Sequence, residues 1–297
     1  MLLFCYILNM KMKRSSALPP KRSISLPTRL HPTSLRVETA LNTLREWEIR
    51  SCSSSETLTA DTIQSGLVGL SEVYRCVEEL VYSSQIQHEE LLEDALDHSV
   101  KLLDACCIIK DTQQKMNEQA LCLQLSLRRR GEESQVEDEI SSYLRLRKKL
   151  KKEASNCIRS LKQSERKLGV VPSLKESHLK MEVKVFRELN LMTSRVLRSV
   201  LVFLSSPRNM IKNTHGGCSF VSKLWPTEKM KMKKIVSDVG SVDDALCGVL
   251  QGSEDMTMAH RKLEYLVISL GSTQAGIDLV FRRLIRYRVS ILNVLTP

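Results

Sequence analysis

Hydrophobic residues along most of the chain recur at intervals of three and four positions, which is the spacing of one face of an α-helix. One such stripe runs from Ile63 to Val81, and further patterns run from about Glu89 to Leu127 and from Tyr143 to Leu161. An apolar stripe on a helix has to be buried against another element. The pattern therefore predicts several long helices that pack on one another.

The second and third patterns are separated by a short connection with helix-end signals on both sides. Arg128 to Arg130 lie where the dipole of the preceding helix favours cations, and Gly131 suits the left-handed position that follows a helix. Ser134 and Glu137 have the spacing of a capping box for the next helix. Two long helices joined so closely are predicted to form an antiparallel hairpin.

Further helical patterns occupy the second half of the chain. One runs from Val183 to Leu204, and others follow from Ile235 onwards, separated by a Pro-, Gly- and Lys-rich stretch at 205–233 that predicts the longest loop. The last helix is predicted to dock on the bundle because it carries too many large apolar side chains to remain in water. Its predicted docking residues are Phe281, Leu284, Ile285 and Leu292.

The predicted fold is all-α, an elongated bundle of long antiparallel helices without a sheet. Composition agrees, because aromatic residues make up only 4% of a chain with 42% hydrophobic content, which favours an aliphatic, helix-packed core. The segment 1–34 is predicted to be disordered, since most of it is rich in Ser, Pro and basic residues. Its apolar start is too short to span a membrane, so an interfacial anchor is the alternative to a plain extension. The helical domain is assigned to 35–297.

The segment YLRLRKKLKKE at 143–153 concentrates basic residues, with six Lys or Arg in eleven positions. At about 100° per residue from Tyr143, a buried stripe of Leu146, Leu150, Ala154, Cys157, Ile158 and Leu161 is predicted. The opposite face is basic over about six turns. It consists of Arg145, Lys148, Lys149, Lys152, Arg159, Arg166 and Lys167.

This basic face has several interpretations. Residues 51–140 hold 7 basic and 18 acidic side chains, whereas residues 141–180 hold 12 basic and 3 acidic ones. The face is therefore either solvated, complemented by the acidic helix beside it, or a binding surface for an acidic protein or an anionic membrane. Nucleic acid is disfavoured because no zinc finger, RNA-recognition signature or row of aromatic residues accompanies the charge.

The candidate interaction surface combines this face with cations of the last helix. It comprises Arg145, Lys148, Lys149, Lys152, Arg159, Arg282, Arg283 and Arg286. As the alternative to docking on the bundle, the apolar face of the last helix could receive a partner helix while Arg282, Arg283 and Arg286 select an acidic rim. The sequence does not identify that protein partner.

Signatures of enzymes and cofactor sites are missing from the sequence, which has no Gly-rich phosphate loop, G-x-S-x-G or H-E-x-x-H motif. We expect a non-enzymatic protein without a cofactor. The nine cysteines include no C-x-x-C pair and the sequence shows no convincing secretory signal, so we expect an intracellular, cytoplasmic protein, with peripheral membrane association as the alternative. Five are predicted to pack in the core, namely Cys76, Cys106, Cys107, Cys122 and Cys157. His215 and Cys218 have a ligand-like spacing but lack a second pair.

Four segments together resemble the plant-specific BYPASS-like family: RSISLPTRLHP near the start, LLDACCIIKD at 102–111, YLRLRKKLKKE at 143–153 and FRRLIRYRVSILNVL at 281–295. They occur in matching order, and the resemblance covers about residues 22–297. It implies an all-helical plant protein connected with root and shoot development, in a family without a defined biochemical activity. It supplies no catalytic residues, so the expected function is regulation or interaction, with peripheral membrane binding as the alternative.

Overall fold

The computed structural model describes residues 32–53, 57–83, 89–128, 133–169, 181–206 and 236–296. These residues form a compact helical unit that begins at Pro32, three residues before the predicted boundary. Its helices are α1 Pro32–Ser53, α2 Ala60–Ser83, α3 Glu89–Arg128, α4 Glu133–Gly169, α5 Met181–Ser205, α6 Asp238–Leu250 and α7 Met256–Leu295. The all-α prediction is confirmed. Residues 1–31 of the predicted N-terminal segment and residues 207–233 of the predicted loop lie outside the described residues.

Side-chain caps define where several helices begin. The hydroxyl of Thr59 accepts a hydrogen bond from the Thr62 amide at 3.2 Å, before the first turn of α2. Ser237 caps α6 by accepting from the Gly240 amide at 3.2 Å. Asp255 caps α7 by accepting from the Thr257 amide at 3.1 Å. Each cap satisfies an amide that has no partner within its own helix.

The predicted hairpin of α3 and α4 is confirmed by the contacts between the two helices. Gln119 donates to Glu139 at 3.4 Å, and the sulfur of Met116 lies 3.6 Å from Nη1 of Arg147. The residue on α3 with the lower number thus contacts the residue on α4 with the higher number, so the two helices are antiparallel. Glu165 and Arg198 form a 2.6 Å ion pair between α4 and the following helix α5.

The last helix packs along both α2 and α3, and also contacts α6. Lys110 of α3 pairs with Asp278 of α7 at 2.8 Å, and Gln113 donates to the buried hydroxyl of Thr273 at 2.8 Å. This order makes α3 and α7 antiparallel. Docking of the last helix is therefore observed, and α7 forms a large part of the core.

Aromatic side chains join three helices at the centre of a largely aliphatic core. The ring of Tyr287 on α7 lies 5.5 Å from Tyr74 on α2 in an edge-to-face arrangement, and 6.0 Å from Phe186 on α5. The hydroxyls of Tyr74 and Thr193 are 2.9 Å apart, which links α2 to α5. Burial raises the pKa of both tyrosines above the ordinary value, so their hydroxyls stay neutral.

One short strand pairing accompanies the helices, a detail that the prediction of a bundle without a sheet missed. Thr57–Leu58 runs parallel to Val236–Ser237, two residues on each side. The pairing places the starts of α2 and α6 next to each other, and the Asp238 carboxylate accepts a hydrogen bond from the Ala60 amide at 3.3 Å. It thereby ties two segments that are distant in the sequence.

Four side chains that were predicted to be buried are exposed. Cys107 and Cys122 are exposed, while Cys76, Cys106 and Cys157 are buried as predicted. Ile285 and Leu292 are each 42% exposed, whereas Leu284 is fully buried and Phe281 packs partly against the core. The errors at the two cysteines and at the two residues of α7 have the same cause. Hydrophobic periodicity locates the centre of a buried helix face better than its edges.

Two glycines provide a matched test of helix packing. A Cβ atom at Gly66 on α2 would overlap the ring of Trp47 on α1, whereas a Cβ at Gly271 on α7 would meet nothing within 4 Å. We expect Gly66→Ala to lower the free energy of unfolding by about 1–3 kcal/mol through overpacking. Gly271→Ala should raise it by about 0.5–1 kcal/mol because alanine favours the helix. Urea denaturation of both variants measures this difference, and equal effects would contradict the packing of α1 on α2.

Candidate interaction surface

The predicted basic face lies on the outer side of α4. Arg145, Lys148, Lys149, Lys152, Arg159 and Arg166 are all exposed. The stripe opposite to them is buried at Leu150, Ala154, Cys157, Ile158 and Leu161, and half-buried at Leu146. The predicted orientation of α4 is therefore confirmed. The side chain of Lys167 lies outside the described residues.

No ion pair within the described part of the chain neutralises these six exposed cations. Between α3 and α4, Gln119 donates a hydrogen bond to the carboxylate of Glu139. This contact involves none of the six exposed cations. The ion pairs that α4 makes with other helices use Arg147, Lys151 and Glu165 instead. The acidic residues of α3 thus leave the basic face available to solvent or to a partner.

Two cations of the same basic run point into the protein. Nε of Arg147 lies 3.0 Å from Oδ1 of Asp243 on α6, and its side chain is only 2% exposed. Nη1 of Arg147 donates to the carbonyl of Leu204, at the end of α5, at 2.7 Å. Nζ of Lys151 reaches Oδ2 of Asp243 at 2.9 Å. This buried charge cluster, Arg147, Lys151 and Asp243, joins α4 to α5 and α6.

Electrostatics favour the charged form of Arg147 despite its position. Burial by itself would lower the pKa of Arg147, but the neighbouring Asp243 carboxylate holds it above the ordinary value. Burial and the negative charge of Asp243 also raise the pKa of the Tyr143 hydroxyl, which therefore remains neutral. The negative charge of Asp243 therefore stabilises the positive charges of Arg147 and Lys151, and they stabilise it in turn.

Sequence reasoning did not assign a role to Arg147, although a signal was present. At about 100° per residue, Arg147 lies about 40° from Tyr143 and so falls inside the predicted apolar sector. A cation in that sector requires a buried acid as its partner. Asp243, in the apolar pattern of α6, is that acid, and the sequence alone does not indicate which carboxylate pairs with Arg147.

The three C-terminal arginines differ in their surroundings. Arg282 and Arg286 are exposed on α7. Arg283 is partly buried and pairs with Glu78 of α2 at 3.5 Å. Burial raises the pKa of Glu78 above its usual value, although Arg283 and Arg286 oppose the shift. These arginines belong to α7, which packs against α2, α3 and α6. The basic face belongs to α4, which packs against α3, α5 and α6. The residues of the predicted interaction surface therefore lie on two different helices.

Other candidate sites in the described part of the chain offer little chemistry. The Nδ1 atom of His98 lies 2.9 Å from the Asp94 carbonyl, and His260 accepts a hydrogen bond from Arg128. The described residues contain no group of three or more His, Cys, Asp or Glu side chains that could hold a metal ion. Within those same ranges, every helix is too short or too polar to cross a membrane. His215 and Cys218 lie outside the described residues.

Comparison with known proteins connects this architecture to a family. A search of curated proteins and a search of solved structures found no match. The family model described as Protein BPS1 matches residues 66–294, a range that includes α3 to α6, most of α2 and all of α7 except its last residue. The match therefore covers both the basic face and the C-terminal arginines. Since it spans most of the 297 residues and agrees with the resemblance to BYPASS-like proteins, the chain belongs to the BPS1 family.

Proposed function

We propose that this protein is a non-enzymatic regulator of root and shoot development that acts by binding an acidic segment of a partner protein. Family membership suggests a plant developmental regulator. The observation that carries the proposed mechanism is the exposed basic face of α4, which has no ion-pair partner within the described residues. Recognition through this face requires neither a cofactor nor a catalytic residue.

The shape of the face supports an extended partner. From Arg145 to Arg166 the cations follow the helix for about 32 Å, at 1.5 Å per residue. A single exposed ion pair contributes about 0.2–1 kcal/mol, so a compact anion that meets one or two of these cations would bind weakly. A segment with several carboxylates can pair along the whole face. We therefore favour an acidic helix or an acidic extended segment as the partner.

The rigidity of α4 also supports this proposal. The buried charge cluster fixes one side of the helix to α5 and α6. The exposed cations from Arg145 to Lys152 lie on the same turns, so their backbone positions are held before the partner arrives. A surface that is already ordered loses less conformational entropy on binding.

An anionic membrane is the alternative ligand for the same face. Clustered Lys and Arg side chains near a membrane surface each contribute about 1 kcal/mol of attraction to anionic lipids. The described side chains of α4 place charge rather than large apolar groups on the outer face. An interfacial helix instead inserts an apolar face among the lipids. This difference favours a protein partner.

Charge reversal on α4 tests the proposal. We expect the triple variant Lys148→Glu, Lys149→Glu and Lys152→Glu to lose a partner that the parent protein captures from root tissue. The matched control reverses three exposed cations on other helices, Arg50→Glu, Lys101→Glu and Lys115→Glu, and should retain the partner. Raising the salt concentration should weaken capture by the parent.

The outcomes separate the alternatives. Quantitative mass spectrometry of the captured proteins measures the loss, and thermal melting verifies that the variants remain folded. Partners retained in full by the α4 variant would contradict the proposal. Flotation with liposomes of anionic or neutral lipid tests the membrane alternative. That alternative would be supported if the parent bound anionic but not neutral liposomes and the α4 variant lost this binding.

A further inference from the structure

The outward side of α7 carries a second surface with different chemistry from the basic face of α4. Its residues alternate at spacings of four and three, which is the repeat of a coiled-coil seam. They are Arg261, Tyr265, Ile268, Ser272, Ala275, Leu279, Arg282, Arg286 and Val289. We call this set the α7 seam. It contains apolar and small residues in the middle, arginines towards both ends and no carboxylate.

Exposure shows that no described helix covers the α7 seam. Ile268 is 70% exposed, Tyr265 is 52% exposed and Val289 is 48% exposed. Ser272 and Ala275 are also exposed, whereas Leu279 is half-buried. The inner side of the same helix is fully buried at Leu266, Ile277 and similar positions. The α7 helix is therefore apolar on its core side and also over part of its solvent side.

Glycine at position 271 lacks an intramolecular explanation among the described contacts. It is exposed in the middle of a 40-residue helix, and a Cβ there would meet nothing within 4 Å. Glycine in a helix interior costs about 1 kcal/mol relative to alanine. Gly276, by contrast, is needed inside the protein, because its Cβ would lie 2.8 Å from Cδ1 of Leu67. Small residues at 271, 272 and 275 allow another backbone to approach closely from outside.

The order of residues along the α7 seam is self-complementary. When two α7 helices are antiparallel and cross midway between Ser272 and Ala275, these two residues face each other's copies. Ile268 then faces Leu279, and Tyr265 faces Arg282. These residues face each other because the intervals between seam positions are the same in both directions from the crossing point. A two-fold axis generates every contact twice, as in an isologous dimer.

We propose that the α7 seam binds the α7 seam of a second copy of this chain, as an antiparallel helix pair. The contacts match in chemistry, because aliphatic side chains meet at Ile268 and Leu279 and an aromatic ring meets a guanidinium at Tyr265 and Arg282. Small residues at the centre allow close packing of the backbones. The inference is independent of the proposed function, which rests on α4.

Charge at the ends of the pair limits its strength. Arg261 would face Arg286 of the other copy, which is repulsive. Both arginines are exposed, so solvent and salt screen them. We therefore expect a concentration-dependent dimer that is strengthened by added salt. An association through the basic face of α4 would be weakened by salt instead.

Sedimentation equilibrium of the full chain, free of nucleic acid, tests the pairing. We expect Tyr265→Arg to weaken dimerisation about tenfold or more, because two new arginine pairs replace two cation–π contacts. Adding Arg282→Glu to this variant should restore the dimer, since each new arginine then faces a glutamate. Both positions are exposed, so neither change affects the core.

The control is Leu35→Arg, which adds the same charge at a 56% exposed apolar position on α1. It should leave dimerisation unchanged. A parent protein that stays monomeric at the highest soluble concentration would overturn the proposal. A dimer that Tyr265→Arg leaves intact would also overturn it. The same holds if Tyr265→Arg disrupts the dimer and Arg282→Glu fails to restore it, because Tyr265 then does not face Arg282.

Discussion

Replacing Arg147 with methionine is expected to lower the free energy of unfolding by about 3–5 kcal/mol. The substitution keeps a long side chain in place but removes the charge that pairs with Asp243, whose side chain is only 1% exposed. Lys151 alone would remain beside that carboxylate. The carbonyl of Leu204 would also lose its donor. Urea denaturation with linear extrapolation measures the change.

A neighbouring position in the same basic run supplies the control. Lys148→Met removes the same charge from an exposed side chain, so we expect an effect within about 0.5 kcal/mol. A comparable loss for both variants would show that net charge, rather than the buried cluster, controls stability.

The double variant Arg147→Met with Asp243→Leu tests whether the cluster acts as a pair. Removing both charges leaves no unpaired ion in the core, and Lys151, which is 26% exposed, can turn towards water. Replacing a buried ion pair by apolar residues is often close to neutral. We therefore expect the double variant to be more stable than either single variant. If the two losses simply added, the pairing of Arg147 with Asp243 would be wrong.

Truncation after Gln274 is expected to abolish cooperative unfolding of the whole domain. It removes Ile277, Val280, Leu284 and Ile291, which are fully buried between α7 and its neighbours. Burial of each contributes about 1.5–3 kcal/mol, so about 6–12 kcal/mol is lost. That is comparable to the total stability of an ordinary domain. Thermal melting and hydrogen exchange measure the result, and a truncated chain that melts cooperatively would contradict it.

Point substitutions within the removed segment separate packing from length. Leu284→Ala should cost about 2–5 kcal/mol because it leaves a cavity at a fully buried position. Leu292→Ala, at a position that is 42% exposed, should cost much less. Similar losses would mean that the end of α7 is buried more uniformly than the structure indicates.

The two proposed surfaces would give the protein distinct ways of associating. Binding of an acidic partner to the basic face of α4 should weaken with salt, whereas the proposed pairing of two α7 seams should strengthen. Because they lie on separate helices, substitutions in one should leave the other function intact. A dimer would present two basic faces at once, and a partner with two acidic segments would then bind more tightly through effective concentration.

Much of the local structure could be predicted from the sequence. The 3–4 repeat located most of the long helices, the short connection predicted the hairpin of α3 and α4, and the angular positions around Tyr143 identified both faces of α4. These features depend on neighbours within a few turns. The weaker predictions concerned the edges of helix faces, as Ile285 and Cys107 show, because burial there depends on how closely the next helix approaches.

The sequence by itself determined the helices, the basic face and the family resemblance, since each is written in consecutive or regularly spaced residues. Only the tertiary structure decided which carboxylate pairs with Arg147 and Lys151, the two inward cations of the basic run. Arg147 and Asp243 are 96 positions apart, and they meet only when α6 packs against α4. Periodicity describes how one helix divides into faces, whereas a buried charge also needs a particular counter-charge, and its position follows from the packing of the whole bundle.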